Sequence, residues 1–378
     1  MNLTECTDVP EQLNKTFNPF LNIASHLSSL VCDKFELIRT SCKHYSFPSA
    51  SQNPISLNKE NTKLNILHIN ARSIRSNERF EEFQQLITCS GCIWQVICVS
   101  ETWLYDNMSE SRELHGYNAY FNNRTSSIGG GVAIYVNAKY IKKSYLFENT
   151  LIKSTQSLLI ECQISNFTTC IIGLIYRPPD LDSKVFLDEL GSYLDKVNTM
   201  NKTAFIIGDF NFDLFNTDCD NSTLDFFNTF ASYGFWPSIC KATRISDKKS
   251  SLIDNIFCNN LDLISNSGLI LNDFSDHFPV FVSCSMQLNN LSCSSYRKVF
   301  DYNSLDEFTK YLQDQLCDFF TIDEAIHASN SLINAYTRVI EKYSKILNAQ
   351  EKLQQSSHGS QLACWHQLIL AMLYLRQK

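Results

Sequence analysis

Several apolar runs in this 378-residue chain end on polar residues that could do chemistry together. Asn70 closes Leu-Asn-Ile-Leu-His-Ile, and Glu101 follows Val-Ile-Cys-Val-Ser. Asp209 and Asn211 follow Phe-Ile-Ile-Gly, and Asp276-His277 leads into Phe-Pro-Val-Phe-Val. Ligand sites of open α/β sheets gather at strand ends, so these groups can converge on one rim. Carboxylates with an Asn suit a hard cation such as Mg²⁺, which takes few protein ligands and keeps several waters. A His beside that cation can orient or deprotonate water, or stabilise charge on a phosphoryl group. Taken singly, each residue has a plainer role, because Asp and Asn after a strand are favoured turn formers. Their ordered combination is what carries weight.

The elements that would hold these groups are legible as a change of texture. Residues 1–61 mix short apolar patches with Ser, Asn and Lys, have no sustained period, and are expected to form a loosely ordered extension. From Leu64 onward β-rich runs appear at Leu64–Ile69, Gln95–Val99, Val132–Val136, Leu158–Ile164, Thr169–Tyr176, Ala204–Gly208, Leu252–Cys258 and Val280–Cys284. Between them, Asn77–Thr88 and Ser183–Val197 place large apolar residues on one helical stripe. Ser222-Thr-Leu-Asp225 has the form of a capping box before a helix over Phe226–Tyr233. Strands interleaved with fewer helices imply mixed sheets, and runs apolar on both faces imply two sheets packed face to face with helices outside. Beyond Leu291 the strands are expected to stop. Residues 291–353 read as a helical segment, with Ile326, Ile333, Ile340 and Leu347 at seven-residue steps giving a marginal coiled-coil signal over 323–347.

Composition limits the function classes. An apolar fraction of 44% and 12% aromatics describe a globular core rather than a disordered chain. Lys+Arg 32 against Asp+Glu 39 gives a net charge of −7, which argues against a sequence-blind binder resting on a broad basic surface. It leaves open an enzyme that meets nucleic acid at one local, metal-assisted site. Fifteen scattered cysteines, an odd number, read as free thiols of a reducing compartment. Cys89-Ser-Gly-Cys92 has redox or zinc spacing but no second close pair, and reads as two incidental thiols in a loop. The start lacks the basic and apolar regions of a signal peptide, and the most apolar stretch, Leu362–Leu375, is too short to span a membrane. The expectation is an intracellular protein, nuclear or cytoplasmic, monomeric and not secreted.

Read in order, Ile69-Asn70-Ala-Arg-Ser-Ile74, Ser100-Glu101-Thr-Trp-Leu104, Gly129-Gly-Gly-Val-Ala-Ile134, Tyr176-Arg-Pro-Pro179, Gly208-Asp-Phe-Asn211, Leu252-Ile-Asp254 and Ser275-Asp-His277 resemble the endonuclease/exonuclease/phosphatase superfamily. Within it the Glu-Thr-Trp, Gly-Gly-Gly-Val-Ala and Tyr-Arg-Pro-Pro segments look like the apurinic-type endonuclease of non-LTR (LINE-type) retrotransposons. The resemblance covers residues 62–290. It implies a four-layer αββα sandwich of two mixed sheets with flanking helices, and phosphodiester cleavage dependent on Mg²⁺ or Mn²⁺. Carried over by position, Glu101 would hold the metal with Asn70 nearby, and Asp276 would complete the site. Asp209 would activate water or protonate the leaving oxygen, Asn211 would position both, and Tyr176 would hydrogen-bond the scissile phosphate. His277, oriented by Asp254, would stabilise the pentacoordinate transition state. Some relatives carry an Asp where Arg72 stands here, so a metal contact is exchanged for a phosphate contact. Arg124, Arg177 and Arg244 are further candidates for DNA phosphates. The Gly129–Gly131 run could cradle a phosphate, although a tight turn before a core strand is its simpler role.

The leading expectation is an endonuclease that nicks duplex DNA, ancestrally to prime reverse transcription. The alternatives are a phosphatase or RNase of the same fold, or a non-catalytic remnant of a mobile element. Reverse transcriptase activity is not expected, since no Asp-Asp dipeptide is present to bind paired metals. After Leu353 the helical pattern dissolves. Suitable codons for Ser357–Cys364 read in another frame would give Pro-Trp-Leu-Thr-Thr-Gly-Leu, so residues 354–378 are expected to lie outside the ancestral reading frame.

Overall fold

The computed structural model describes residues 3–6, 9–17, 36, 38–47, 63–124, 129–147, 152–165, 168–246 and 249–286, together with the backbone of 297–300 and 344–347. It divides into two compact units, Met1–Asn290 and Leu291–Lys378.

The first unit is an α/β sandwich of two mixed sheets with flanking helices. One sheet contains β1 (Thr4–Glu5), β2 (Cys42–Ser46), β3 (Leu64–Asn70), β4 (Val96–Ser100), β5 (Tyr117–Asn122), β6 (Val132–Asn137), β15 (Ile264–Ile270) and β16 (Val280–Cys284), in the order β1-β2-β15-β16-β3-β4-β6-β5. The other contains β7 (Ser144–Leu146), β8 (Gln156–Gln163), β9 (Thr169–Tyr176), β10 (Thr203–Asp209), β11 (Trp236–Pro237) and β14 (Asp254–Cys258), in the order β11-β14-β10-β9-β8-β7. A small hairpin pairs β12 (Arg244–Ser246) with β13 (Lys249–Ser251).

Strand periodicity sorts the first sheet into two faces. Leu64 and Ile66 of β3 and Val96 and Cys98 of β4 join the core between the sheets, whereas Leu67, Ile69, Ile97 and Val99 join the outer layer. That outer layer is covered by Phe80, Phe83 and Leu86 of helix α1 (Asn77–Cys89), which Ser76 caps by accepting the Arg79 N–H. The parity continues to the ends of both strands. It turns His68, Asn70 and Ser100 inward, toward the second sheet.

Helices α2 (Ser183–Thr199) and α3 (Asn221–Ser232) cover the second sheet. Here the aromatics are spent. Phe230 stacks on Phe257 with ring centroids 3.9 Å apart, and Phe212 stacks on Phe226 at 4.6 Å. Helix α3 begins earlier than the expected capping box. Asp220 is the cap, accepting the Ser222 N–H at 3.1 Å and the Thr223 hydroxyl at 2.6 Å. A carboxylate there also meets the positive end of the helix dipole.

Two expectations about the ends of the chain need correction. The segment 1–61 is not merely a loose extension, because β2 pairs in parallel with β15, and Leu3, Leu13, Phe17, Ile38, Cys42 and Tyr45 are buried in the core. Its polar, aperiodic sequence concealed a strand whose stability comes from long-range pairing. Beyond Leu291, β17 (Arg297–Phe300) pairs antiparallel with β18 (Ser344–Leu347), where a strand-free helical segment was expected. A four-residue run such as Ser-Lys-Ile-Leu is too short for its own propensity to decide its state, and pairing decides it. The remainder of the expected helical segment, the coiled-coil signal at 323–343 and the tail 354–378 lie outside the described residues.

Candidate active site

The expected residues converge where the ends of β3 and β4 face the ends of β9, β10 and β14. Tyr176 pairs with Asp209, and Asp209 with Asp254, in adjacent strand registers. Residues directly opposite in a sheet share a face, so one row of side chains meets Asn70 across the sandwich. Asn70 ties the halves together. Its amide donates to Glu101 Oε1 at 2.9 Å and to Asp209 Oδ2 at 2.8 Å, while its Oδ1 accepts the Arg72 N–H at 3.1 Å.

Glu101 and Asn211 occupy strained backbone. Their φ angles are +53° and +52°, and Arg72, Ser73 and Trp103 are also positive. Left-handed backbone at Glu101, Arg72 and Trp103 costs free energy that the surrounding structure must offset. The offset at Glu101 is visible. Trp103 Nε1 donates to Glu101 Oε2 at 3.1 Å, and the Thr102 and Trp103 amides donate to the carbonyls of Gly131 and Gly130. The glycine run therefore serves the turn. All three glycines have positive φ, and a Cβ at Gly131 would come within 2.5 Å of Thr102 Oγ1. The Glu-Thr-Trp and Gly-Gly-Gly motifs are two halves of one device that presents the Glu101 carboxylate.

The opposite side holds a buried acid–histidine pair. His277 Nδ1 lies 2.8 Å from Asp254 Oδ2, and the Asp254 N–H donates to Thr243 Oγ1. Burial works against charge on His277, but Asp254, Asp209 and Asp276 outweigh it and raise its pKa to about 9. Burial, then repulsion from Asp254 and Glu101, pushes Asp209 up to about 8, opposed by His277 and by the Asn211 N–H that its Oδ1 accepts at 3.1 Å. Burial and the charges of Glu101 and Asp209 hold the Tyr176 phenol well above the ordinary value, so it stays protonated as a donor.

Acceptor atoms of Asp209, Asp254 and His277 all lie within 4.8 Å of one another. Protonated His277 has no lone pair for a metal, but the carboxylates of Asp209 and Glu101, both bonded to Asn70, are oxygen ligands that fit a hard divalent cation, which would relieve the carboxylate repulsion. Asp276 stands apart from that set. It bridges Arg72 Nη1 at 3.0 Å and Arg244 Nε at 2.9 Å, and these charges with His277 outweigh its partial burial and lower its pKa. Its carboxylate is engaged by both arginines, including the one that stands at position 72.

The arginines also separate. Arg72 and Arg244 reach the rim with 49% and 36% of their side chains exposed. Arg124 lies against Gly130, close enough for its charge to act on Tyr176. Arg177 does not reach the rim. It is 3% exposed, donates to the Leu181 carbonyl and to Ser183 Oγ, and lies over the Phe212 ring at 4.3 Å. Its part as a phosphate contact is corrected to that of an anchor, and its carbonyl accepts the Asn211 side-chain amide at 2.8 Å.

Sequence reasoning missed the supports. Arg79 donates to the carbonyls of Ala71 and Phe274, joining the loops that carry Arg72 and Asp276. Buried Arg112 donates to Ile74 O. His68 contacts Ser100 Oγ at 3.1 Å, with its Nδ1 3.9 Å from Asp254 Oδ1. No local pattern marks such residues, since their partners lie far along the chain.

A family model described as the Endonuclease/Exonuclease/phosphatase family matches residues 64–277, and the chain belongs to that family. Similar solved structures include the endonuclease domain of TRAS1, a telomere-specific non-LTR retrotransposon, at 13% identity and a TM-score of 0.47, covering 59% of this chain and 99% of that one. A 3′-5′ exonuclease from Neisseria meningitidis is 15% identical with a TM-score of 0.47, covering 58% and 99%. An AP endonuclease from Archaeoglobus fulgidus is 17% identical with a TM-score of 0.44, covering 58% and 98%. No curated protein matches the sequence. Among the described residues no helix is long and apolar enough to cross a membrane.

Proposed function

We propose that the chain is a Mg²⁺- or Mn²⁺-dependent phosphodiesterase that nicks duplex DNA, of the kind that serves non-LTR retrotransposons. The observation that carries this reading is Asn70 bonded at once to Glu101 and Asp209, with the His277–Asp254 pair alongside. Glu101 and Asn70 would hold the cation, whose chemistry when bound is to neutralise a phosphoryl oxygen and lower the pKa of water. Asp209, with its raised pKa, takes a proton from the attacking water or returns one to the leaving oxygen. Asn211 orients it through the backbone N–H at 3.1 Å. Charged His277 stabilises the pentacoordinate phosphorus, held in place by Asp254. Tyr176 donates its phenolic proton to a non-bridging oxygen, and Arg72, Arg124 and Arg244 meet flanking phosphates. Water adds to phosphorus as the P–O3′ bond breaks, which leaves a 3′-hydroxyl able to prime synthesis.

The test is relaxation of supercoiled plasmid with Mg²⁺ and with EDTA. Asp209→Ala and His277→Ala are each expected to slow nicking by the folded protein by on the order of 10² or more. The double variant is expected to be little worse than either single one. Nicking by both variants at the wild-type rate in saturating Mg²⁺ would sink the reading.

A further inference from the structure

The loop after β4 carries an aromatic side chain that the catalytic assignment leaves unused. Tyr105 is 40% exposed, and among the described residues the other exposed large apolar side chains lie on β7 and α2. Its position is set by backbone. Amides of Ala71, Ser73 and Ile74 donate to the carbonyls of Ser100, Glu101 and Thr102, zipping loop 71–75 to loop 101–105. That zipper places Arg75 on Tyr105, with the guanidinium carbon 4.8 Å from the ring centroid and Nη1 3.4 Å from the hydroxyl. Arg112 holds the same loop from inside, donating to Ile74 O at 2.9 Å and to Asn77 Oδ1 at 3.1 Å. Glu101 belongs to this loop pair, as does Arg72, which pairs with Asp276 at 3.0 Å. The loop thus offers an exposed aromatic ring with a cation against it, four residues along the chain from Glu101.

We propose that Tyr105, backed by Arg75, is a stacking platform for an unpaired nucleobase flanking the scissile phosphodiester, an assignment that rests on the nuclease reading above. The chemistry favours a base over a phosphate. The ring carries no charge of its own, so its exposed face has nothing with which to hold a phosphate. A nucleobase gains by stacking on an aromatic face, and a guanidinium adds to such stacks. Stacking tolerates any base, because every base has a π face. A base inside a duplex is already stacked on its neighbours, so only an unstacked one can present itself. The platform therefore favours DNA with a bubble, flap or mismatch beside the cleavage point.

The test uses the full chain with oligonucleotides carrying 2-aminopurine, either paired or in a bubble, bound in Ca²⁺ to suppress turnover. Quenching of the bubble fluorophore is expected on binding. Tyr105→Ala should abolish the quenching and weaken bubble binding by roughly tenfold, from the usual contribution of one stacked base. Tyr105→Trp should retain both, and binding to fully paired DNA should hardly change. The platform is overturned if Tyr105→Ala quenches like wild type, or weakens paired and bubble DNA equally with an unchanged melting temperature. A wild type that nicks neither DNA in Mg²⁺ would instead overturn the nuclease reading, while the quenching still reports on the platform by itself.

Discussion

At the scale of single residues, the site is a balance between burial and charge. Asp254 carries much of it, since it holds His277 protonated against the cost of burial. Replacing it with Asn keeps the shape and removes the charge. With the pKa of His277 raised to about 9, imidazolium persists through neutral pH and is lost as pH rises through that value. Asp254→Asn should therefore slow nicking by on the order of 10² at pH 7.5 and move the alkaline fall in rate toward lower pH. A variant with an unshifted profile would show that Asp254 only packs. His68 is balanced the other way. Burial first, and the nearby His277 charge second, lower its pKa from 6.5 to about 4, although Asp254 opposes them. A lowered pKa gives stability that is present above 6.5 and lost as pH falls toward 4. At pH 5 the gap from the unfolded value is about 1.5 units, worth about 2 kcal/mol. Asp209 and His277 have raised values and respond in the opposite direction, so the comparison must be with a variant. Urea unfolding at pH 7 and pH 5 should show wild type losing about 2 kcal/mol more than His68→Gln. Equal losses would place His68 in a wetter setting than its 1% exposure implies.

At the scale of elements, the row formed by Tyr176, Asp209 and Asp254 depends on how closely β9 and β10 approach. A Cβ on Gly208 would sit 1.8 Å from the Ile175 carbonyl oxygen, a backbone atom that cannot rotate away. Gly208→Ala should cost about 3 kcal/mol or more by forcing the ladder apart, read as a large drop in melting temperature. It should also lower nicking in the surviving folded fraction, because Asp209 is the next residue. The same strands show what a sequence can reveal. The runs ending at Tyr176 and Asp209 are long, apolar and β-branched, so they are legible, as are the acids and amides that stop them. Strand β15, Ile-Ser-Asn-Ser-Gly-Leu-Ile, was not, because its polar middle shows no apolar alternation and its extended state is set by pairing with β2 and β16. The hairpin β12–β13 was equally hidden. Its value lies in the bridge from Arg244 to His277, a contact between residues far apart in the chain. Arg177 misled for a related reason. An Arg beside two prolines looks like a surface residue until the Phe212 ring and the Leu181 carbonyl close over it.

At the scale of the whole molecule, the question is which stretches the first unit needs in order to fold. The motifs span residues 62–290, and a shortened chain of that length is the natural choice from sequence. The fold argues against it. Removing residues 1–61 strips β2 from the edge of β15 and withdraws Leu3, Leu13, Phe17, Ile38, Cys42 and Tyr45 from the core. Each buried side chain of this kind contributes about 1.5–3 kcal/mol, so the loss rivals the 5–15 kcal/mol by which a domain is usually stable. The bare β15 edge would also invite pairing between molecules. The opposite truncation is predicted to be harmless, since Met1–Asn290 is a compact unit by itself. A chain ending at Asn290 should therefore melt cooperatively and nick plasmid like the full chain, whereas one starting at Thr62 should aggregate or melt without cooperativity. Circular dichroism melts and plasmid relaxation on the two truncations distinguish the outcomes. A stable, active 62–290 would show that β2 only decorates the sheet, and an inactive 1–290 would show that the second unit contributes to the site.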